Sequence, residues 1–272
     1  KVITDNVNVR AYTGWQLPIV SEQLSAVIEK ELRYAMRNAQ LRMMALMPLI
    51  LVVVRFVNSR RWNTRPGVTH SSSDFLSYSP GLLPTAGVLY VFMVLAGLSC
   101  NLFAFEEGGM RTLILSPIER WKVLIGKNLV VTTVAAVFST ALLTVNGIVF
   151  RDLTPSALLF AGLSFVIFAA VMSLIGNWFS ISFPKRMQFG KRLNVSGVAG
   201  LLLIPMILCM GLAPVAAVAA GYIFESFLVE YLVLAVCALV AVAFYVLIIK
   251  FQGDSLERRE VEILEVVKEP SE

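Results

Sequence analysis

Few residues in this chain of 272 are of a type that does chemistry, and their spacing argues against chemistry being done here. There is no HExxH and no metal-ligand cluster, and the single histidine is His70. Ser99, within Gly97-Leu98-Ser99-Cys100, is a candidate nucleophile. A serine nucleophile needs a base within hydrogen-bond reach, and His70 falls in a loop at the opposite end of its span. Ala96, Gly97 and Ser99 read more simply as small residues that let helices approach closely. A phosphate-binding loop requires GxxxxGK[ST]. Here Gly126-Lys127 is followed by Asn128, and Trp121 stands where the first glycine belongs. Cys100, Cys209 and Cys237 are odd in number and lie inside apolar runs, so they read as small buried hydrophobes. No catalytic residue, metal site or cofactor is assigned to this chain. If ATP drives it, another chain binds the nucleotide.

The elements that hold these residues follow from composition. Hydrophobic residues make up 57% of the chain, charged residues 15%, and the mean hydropathy is +0.77. Soluble domains are usually about 45–50% apolar and about 25% charged, so the excess points to lipid as the main solvent. A net charge of +5, from 23 basic and 18 acidic residues, bears on topology before it bears on any nucleic-acid partner. The expected fold is all-α and polytopic. A spanning helix needs about 20 apolar residues, and six runs qualify: 40–57, 83–105, 129–150, 157–183, 196–224 and 227–249. No run alternates strictly, which disfavours a barrel. Eighteen of the 23 basic residues fall on the side of the two termini and five, Arg55, Arg60, Arg61, Arg65 and Arg151, on the other. The positive-inside rule then places both termini in the cytoplasm, most simply of a bacterial inner membrane.

Outside the spans, 1–20 is a polar lead-in or linker. Residues 21–38 repeat apolar side chains at helical spacing, from Leu24 through Val27, Ile28 and Leu32 to Ala35 and Met36, with Ser21 a candidate N-cap. That helix either lies on the cytoplasmic membrane surface, the favoured reading, or packs on another element. The Ser-, Asn-, Pro- and Gly-rich stretch 58–81 reads as an external loop. The tail 251–272 contains a second short helix expected to start near Asp254, with Glu257 three residues on.

The segment 106–128 is the most informative. Glu106-Glu107-Gly108-Gly109-Met110-Arg111 ends the second span, an apolar stretch follows, and then Ser116-Pro117-Ile118-Glu119-Arg120 leads to Gly126-Lys127. Ser116 can cap a helix whose first residue is Pro117, with Glu119 in its first turn. Such a helix is either a docking surface for a soluble partner or a solvated connector. The pattern resembles the first cytoplasmic loop of ABC transporter permeases of the type-2 (ABC-2) class, the six-span subunits of ATP-binding-cassette exporters. The resemblance extends to the amphipathic lead helix, the span count and the side of the termini.

The resemblance implies a permease that forms a translocation path, paired with a homodimer partner or a second permease half. A separate ABC ATPase subunit would hold ATP and magnesium. It implies that Glu106, Glu107 and Arg111 lead into a coupling region, that Ser116, Pro117, Glu119 and Arg120 build a coupling helix, and that Gly126 and Lys127 return to the membrane. The fifth run, broken by Pro205, Gly211, Pro214 and Gly221, is either one kinked helix or a re-entrant pair whose part 211–224 forms an outer gate. The basic loop 184–192 lies near headgroups or the ATPase, or only sets topology. A nearly charge-free span interior suits an apolar or amphipathic substrate. The start at Lys1 is compatible with the C-terminal half of a longer two-half permease or with a shortened subunit. A non-transporting membrane scaffold is the alternative, and an intramembrane enzyme the third reading.

Overall fold

Apolar runs that cross a bilayer can satisfy their backbone groups only as helices or closed barrels. The computed structural model describes residues 14–15, 17, 20–37, 43–44, 46–63, 79–104, 106, 109–151, 153–184 and 197–267. Among these, every regular element is an α-helix. They are α1 (Glu22–Arg37), α2 (Met47–Asn63), α3 (Leu82–Ser99), α4 (Gly109–Leu115), α5 (Arg120–Phe150), α6 (Pro155–Ser182), α7 (Gly197–Ile223) and α8 (Phe227–Val267). Five are long and apolar enough to cross a membrane: α3, α5, α6, α8 and the Ile204–Ile223 part of α7. The first expected span is not among them. Helix α2 has 17 residues and ends in the polar sequence that contains Arg60 and Arg61, while the start of the expected run, 40–42, lies outside the described residues.

Helix α6 is central, packed between α3 and α8. Thr154 caps it by accepting from Ala157 N at 3.2 Å, and Pro155 stands in its first turn. Close packing of α6 on α3 comes from small residues, as the sequence suggested for Ser99. A Cβ on Gly176 would fall 2.8 Å from the Ser99 carbonyl oxygen, and Ser99 Oγ donates to Met172 O at 3.3 Å. Phe92 meets Phe165 and Phe168 edge-on, with centroids 5.1 and 5.8 Å apart, and fills the middle of this interface.

Two helices overrun the bilayer. At about 1.5 Å per residue, α5 is about 46 Å long and α8 about 61 Å, against a hydrocarbon thickness of about 30 Å. The overhangs meet at one end of the bundle, together with α1 and α4; this is the α1 end. The opposite, far end carries the α7–α8 turn, where Glu225 has φ 49°, and the α5 terminus, where Arg151 has φ 54°.

The tail corrects the expected short helix at Asp254. No break occurs, and α8 runs unbroken through Gln252 and Gly253. Gln252 is buried, accepting from Asn177 Nδ2 at 2.9 Å and donating to Leu174 O at 2.8 Å. Gly253 allows the start of α5 to cross, since a Cβ there would sit 2.7 Å from Trp121 N. Beyond the crossing, Leu256, Ile263 and Val267 are buried, so the tail folds as part of the bundle and needs no cap.

The fifth run is a single helix with Pro205 and Pro214 inside it, the kinked-helix alternative rather than a re-entrant pair. Pro205 is exposed and Gly211 half-buried, whereas Pro214 and Gly221 are buried. Pro205 lies 18 residues before the helix end, about 27 Å of rise. It therefore does not gather with Gly221 at the far end.

Replacing Gly253 by alanine puts a methyl group onto the Trp121 backbone, which no rotamer change relieves. The Gly253→Ala protein is expected to lose about 1–3 kcal/mol, read as a lowered Tm in detergent, while Gly162→Ala, at a position with open space around its Cβ site, leaves the Tm unchanged.

Candidate functional site

The loop between α3 and α5 is built from two charged anchors with an apolar tip between them. At its start, Asn101 Nδ2 donates to Gly97 O at 2.7 Å and closes the end of α3. The chain then turns, and the Glu106 carbonyl accepts from Gly109 N at 2.6 Å, which starts α4. Glu106, at the head of the motif, is buried in an ion-pair network. Its Oε1 lies 2.5 Å from Lys127 Nζ and its Oε2 2.6 Å from Lys30 Nζ. Lys127 also reaches Glu31 Oε1 at 2.8 Å and donates to Leu102 O at 3.1 Å, with the Phe103 ring 5.2 Å away. Two lysines and two glutamates thus form a network that sums to zero charge.

Lys127 is only 2% exposed and Glu106 7%, which decides that these charges depend on each other rather than on water. Lys127 lies 23 residues from the end of α5, about 35 Å of rise, at the level where the hydrocarbon ends. Burial pushes the Glu106 carboxyl up, but the Lys127 and Lys30 ammoniums outweigh it and hold the group at about 2. A cavity of about 60 Å³ adjoins the network between α1, α3 and α5, lined in part by Tyr34, Leu98 and Val131.

The network also explains where α1 sits. Val27 and Ile28 are buried, and a Cβ on Gly126 would fall 2.6 Å from Val27 Cγ1. Gly126 is thus the seat of α1 on α5. One face of the amphipathic helix thus packs on protein, with Val27 and Leu24 against Gly126 of α5.

The second anchor is Arg120. Its Nε donates to Glu260 Oε2 at 2.7 Å, on the overhang of α8. Its Nη1 donates to Leu113, Ser116 and Ile118 oxygens at 3.0, 3.3 and 3.0 Å, and its Nη2 to Ile114 O at 3.0 Å. A guanidinium at a helix C-terminus satisfies carbonyls that have no intrahelical partner. Arg120 therefore ties the end of α4 to both α5 and α8.

This arrangement corrects the expected helix at Pro117. Residues 116–119 form a non-helical link, Ser116 caps nothing, and α5 starts at Arg120 with Glu119 in the N-cap position. Arg120 draws the backbone of 113–118 around itself, so the apolar stretch before Ser116 becomes the helix and the Ser-Pro becomes the turn. Glu119 does not cap with its side chain; its carboxylate lies 2.7 Å from Lys122 Nζ, which lowers its pKa. Glu107 lies outside the described residues. Arg111, Pro117 and Glu119 are exposed, and Leu115 at the tip is 84% exposed.

Of the residues carried by the motif, the structure brings Glu106 and Lys127 together and separates them from Arg120. It adds Lys30, Glu31 and Glu260, which sequence reasoning missed. The one available signal was Lys127 itself, a lysine at the mouth of an apolar run that required a carboxylate from elsewhere. The comparisons with protein-family models, curated proteins and solved structures find no match to the chain.

Removing one member of a buried charge network leaves the others unpaired, at a cost of about 3–5 kcal/mol. Lys127→Ala is expected to lower the Tm in detergent and to expose α1 to protease, while Lys30→Ala, whose ammonium is half exposed, has a much smaller effect. The Glu106 carboxyl is held below its ordinary value, so its stabilisation is complete above about pH 4.3 and is lost as pH falls through about 2. An acid titration of α1 protection should show that loss, and Glu106→Gln should remove it from the same window.

Proposed function

We propose that the chain is the transmembrane permease subunit of an ATP-driven exporter of the ABC-2 type, with the α4 tip docking a separate ATPase subunit. The observation that carries this reading is the presentation of Leu115. An apolar side chain stands 84% exposed at the end of a seven-residue helix, where a docked partner would cover it. It is held rigidly: Arg120 fastens four carbonyls around it to α5 and, through Glu260, to α8. A push on the tip therefore reaches two membrane helices through short, directed bonds. Coupling requires that the docked partner contact two states of the membrane helices differently, and a stiff joint between loop and spans meets that need.

The proposal includes cytoplasmic termini in a bacterial inner membrane, with α2 and the residues before it as the sixth span and a second permease half or second copy completing the path. The basic residues counted on the side of α1 and α4 support that orientation. In this reading Arg111, Pro117 and Glu119 surround the docked tip, whereas Arg120, Glu106, Gly126 and Lys127 act inside the permease. ATP and magnesium belong to the partner.

The test is copurification with activity. The permease expressed with its chromosomal neighbours should carry an ATP-hydrolysing subunit through purification in detergent. Leu115→Asp should release that subunit and leave the Tm of the permease within a few degrees, and Arg111→Ala should weaken the association less. A permease that purifies folded and without ATPase activity would overturn the reading.

A further inference from the structure

A groove of about 300 Å³ lies between α5, α6 and α8, a volume at the lower end of what ligand sites usually offer. Leu129, Phe165 and Val242 give it apolar walls, and no charged residue lines it. Its depth in the membrane follows from the helix starts. Tyr231 donates its phenolic O–H to Ser156 O at 3.0 Å, so α6 and α8 begin level at the far end. Counted from there, Phe165 lies about 15 Å deep, and Ser173 and Tyr245 both about 27 Å. In a hydrocarbon layer of about 30 Å, the groove runs from the midplane to just inside the edge on the α1 side.

Its polar side chains gather at that edge. Asn128 Nδ2 donates to the Tyr245 hydroxyl at 3.1 Å, which leaves the Tyr245 O–H free to donate in turn. Thr132 and Ser173 add two more hydroxyls to the lining, and neither has a hydrogen-bond partner among the described residues. Alkyl chains alone would leave these donors unanswered. A cation stands one level further out. Lys250 follows Tyr245 by five residues, about 7.5 Å of rise, and reaches across from α8 to the Trp121 ring on α5, 6.0 Å from its centroid. Trp121 lies one turn from Ile125 on the same face of α5, so this pair closes the mouth of the groove. Lys122 also meets the Trp121 ring, at 5.5 Å. Glu119 feels both lysines but pairs with Lys122, at 2.7 Å. Two ammoniums against one carboxylate leave the mouth with a surplus positive charge.

We propose that this groove binds a glycerophospholipid from the leaflet on the α1 side. One acyl chain lies along the apolar wall, the ester carbonyls accept from the hydroxyls of Tyr245, Thr132 and Ser173, and the phosphate meets Lys250. The order of chemistry along the groove matches that occupant: uncharged walls from the midplane outward, hydroxyl donors where ester carbonyls lie, and a cation at the headgroup level. A helix from a second copy would match the walls, but its carbonyls are spent on its own hydrogen bonds and it would have to bring an anion to Lys250. The inference needs only the membrane placement of α5, α6 and α8 and stands apart from the exporter reading.

The full chain in detergent is titrated with phosphatidylglycerol, with diacylglycerol of the same acyl chains and with the ether-linked analogue of the phosphatidylglycerol, and bound lipid is counted by native mass spectrometry. Phosphatidylglycerol is expected to bind about tenfold more tightly than diacylglycerol, the worth of one charge-assisted contact, and Lys250→Gln should remove most of that difference. Tyr245→Phe should weaken the ester-linked phosphatidylglycerol about fivefold, the worth of one hydrogen bond, and leave the ether-linked lipid, which has no carbonyl there, unchanged. Ala169→Phe, which fills the groove, should weaken all three. Equal binding of phosphatidylglycerol and diacylglycerol by the unaltered chain overturns the proposal. So does a Lys250→Gln protein with the preference intact, or a Tyr245→Phe protein that treats ester and ether lipids alike. Should Ala169→Phe fail to fold, the Lys250→Gln and Tyr245→Phe proteins decide. If Ala169→Phe converts a dimer to a monomer with lipid binding unchanged, the groove is a contact between copies and the proposal fails.

Discussion

Hydrocarbon offers no hydrogen-bond partner, and that single constraint runs through the architecture. It makes the apolar runs helical, and it favours pairing of the polar side chains they bury. Gln252 meets Asn177, Tyr245 accepts from Asn128, and Ser79 donates to Glu230 at 2.6 Å. Each pair joins segments distant in sequence, so each also states which part of the fold lies beside which. The strongest case is Lys127, an ammonium at the edge of the hydrocarbon that obtains its carboxylates from α1 and from the end of the turn after α3.

Such a network is weak evidence for stability, because desolvating four charged groups costs about as much as their attraction returns. Its consequence is specificity of placement. Glu31 and Lys30 reach their partners in the same seating of α1 on α5 in which Val27 packs on Gly126. The same logic holds at Arg120, whose five donors fit the carbonyls of 113–118 and the carboxylate of Glu260 in a single arrangement. Loop, lead helix and tail are thereby joined to the spans by charge at two points.

The spans were legible because length and hydropathy are properties of a segment. The runs at 129–150 and 157–183 agree with α5 and α6 to within a turn wherever lipid bounds them. What lay beyond the bilayer was harder. Ser116-Pro117 carries the local signature of a helix start, yet Arg120 organises the carbonyls before it and moves the start to Arg120 itself. Gln252-Gly253 has the local look of a helix end, yet a buried amide and a close crossing carry α8 through. Pro205 and Pro214 suggested interruption, but a proline in a membrane helix is tolerated when neighbours satisfy the freed groups. At Gln252-Gly253 the local preference of about a kcal/mol yielded to contacts from other helices.

The sequence by itself determined the solvent of this protein, its helical class, and the concentration of its charges at one end. These are sums over residue types, which no tertiary contact alters. Only the tertiary structure decided that α1 packs on protein, that Glu106 and Lys127 face each other across a buried network, that Arg120 is a joint, and that Asn128 and Tyr245 stand together in a groove. Those depend on which of several carboxylates, carbonyls and amides stands within about 3 Å of a given donor. Separations of 91 to 140 residues along the chain, as for Arg55 with Asn146, Lys127 with Glu31 and Arg120 with Glu260, leave no local pattern to read.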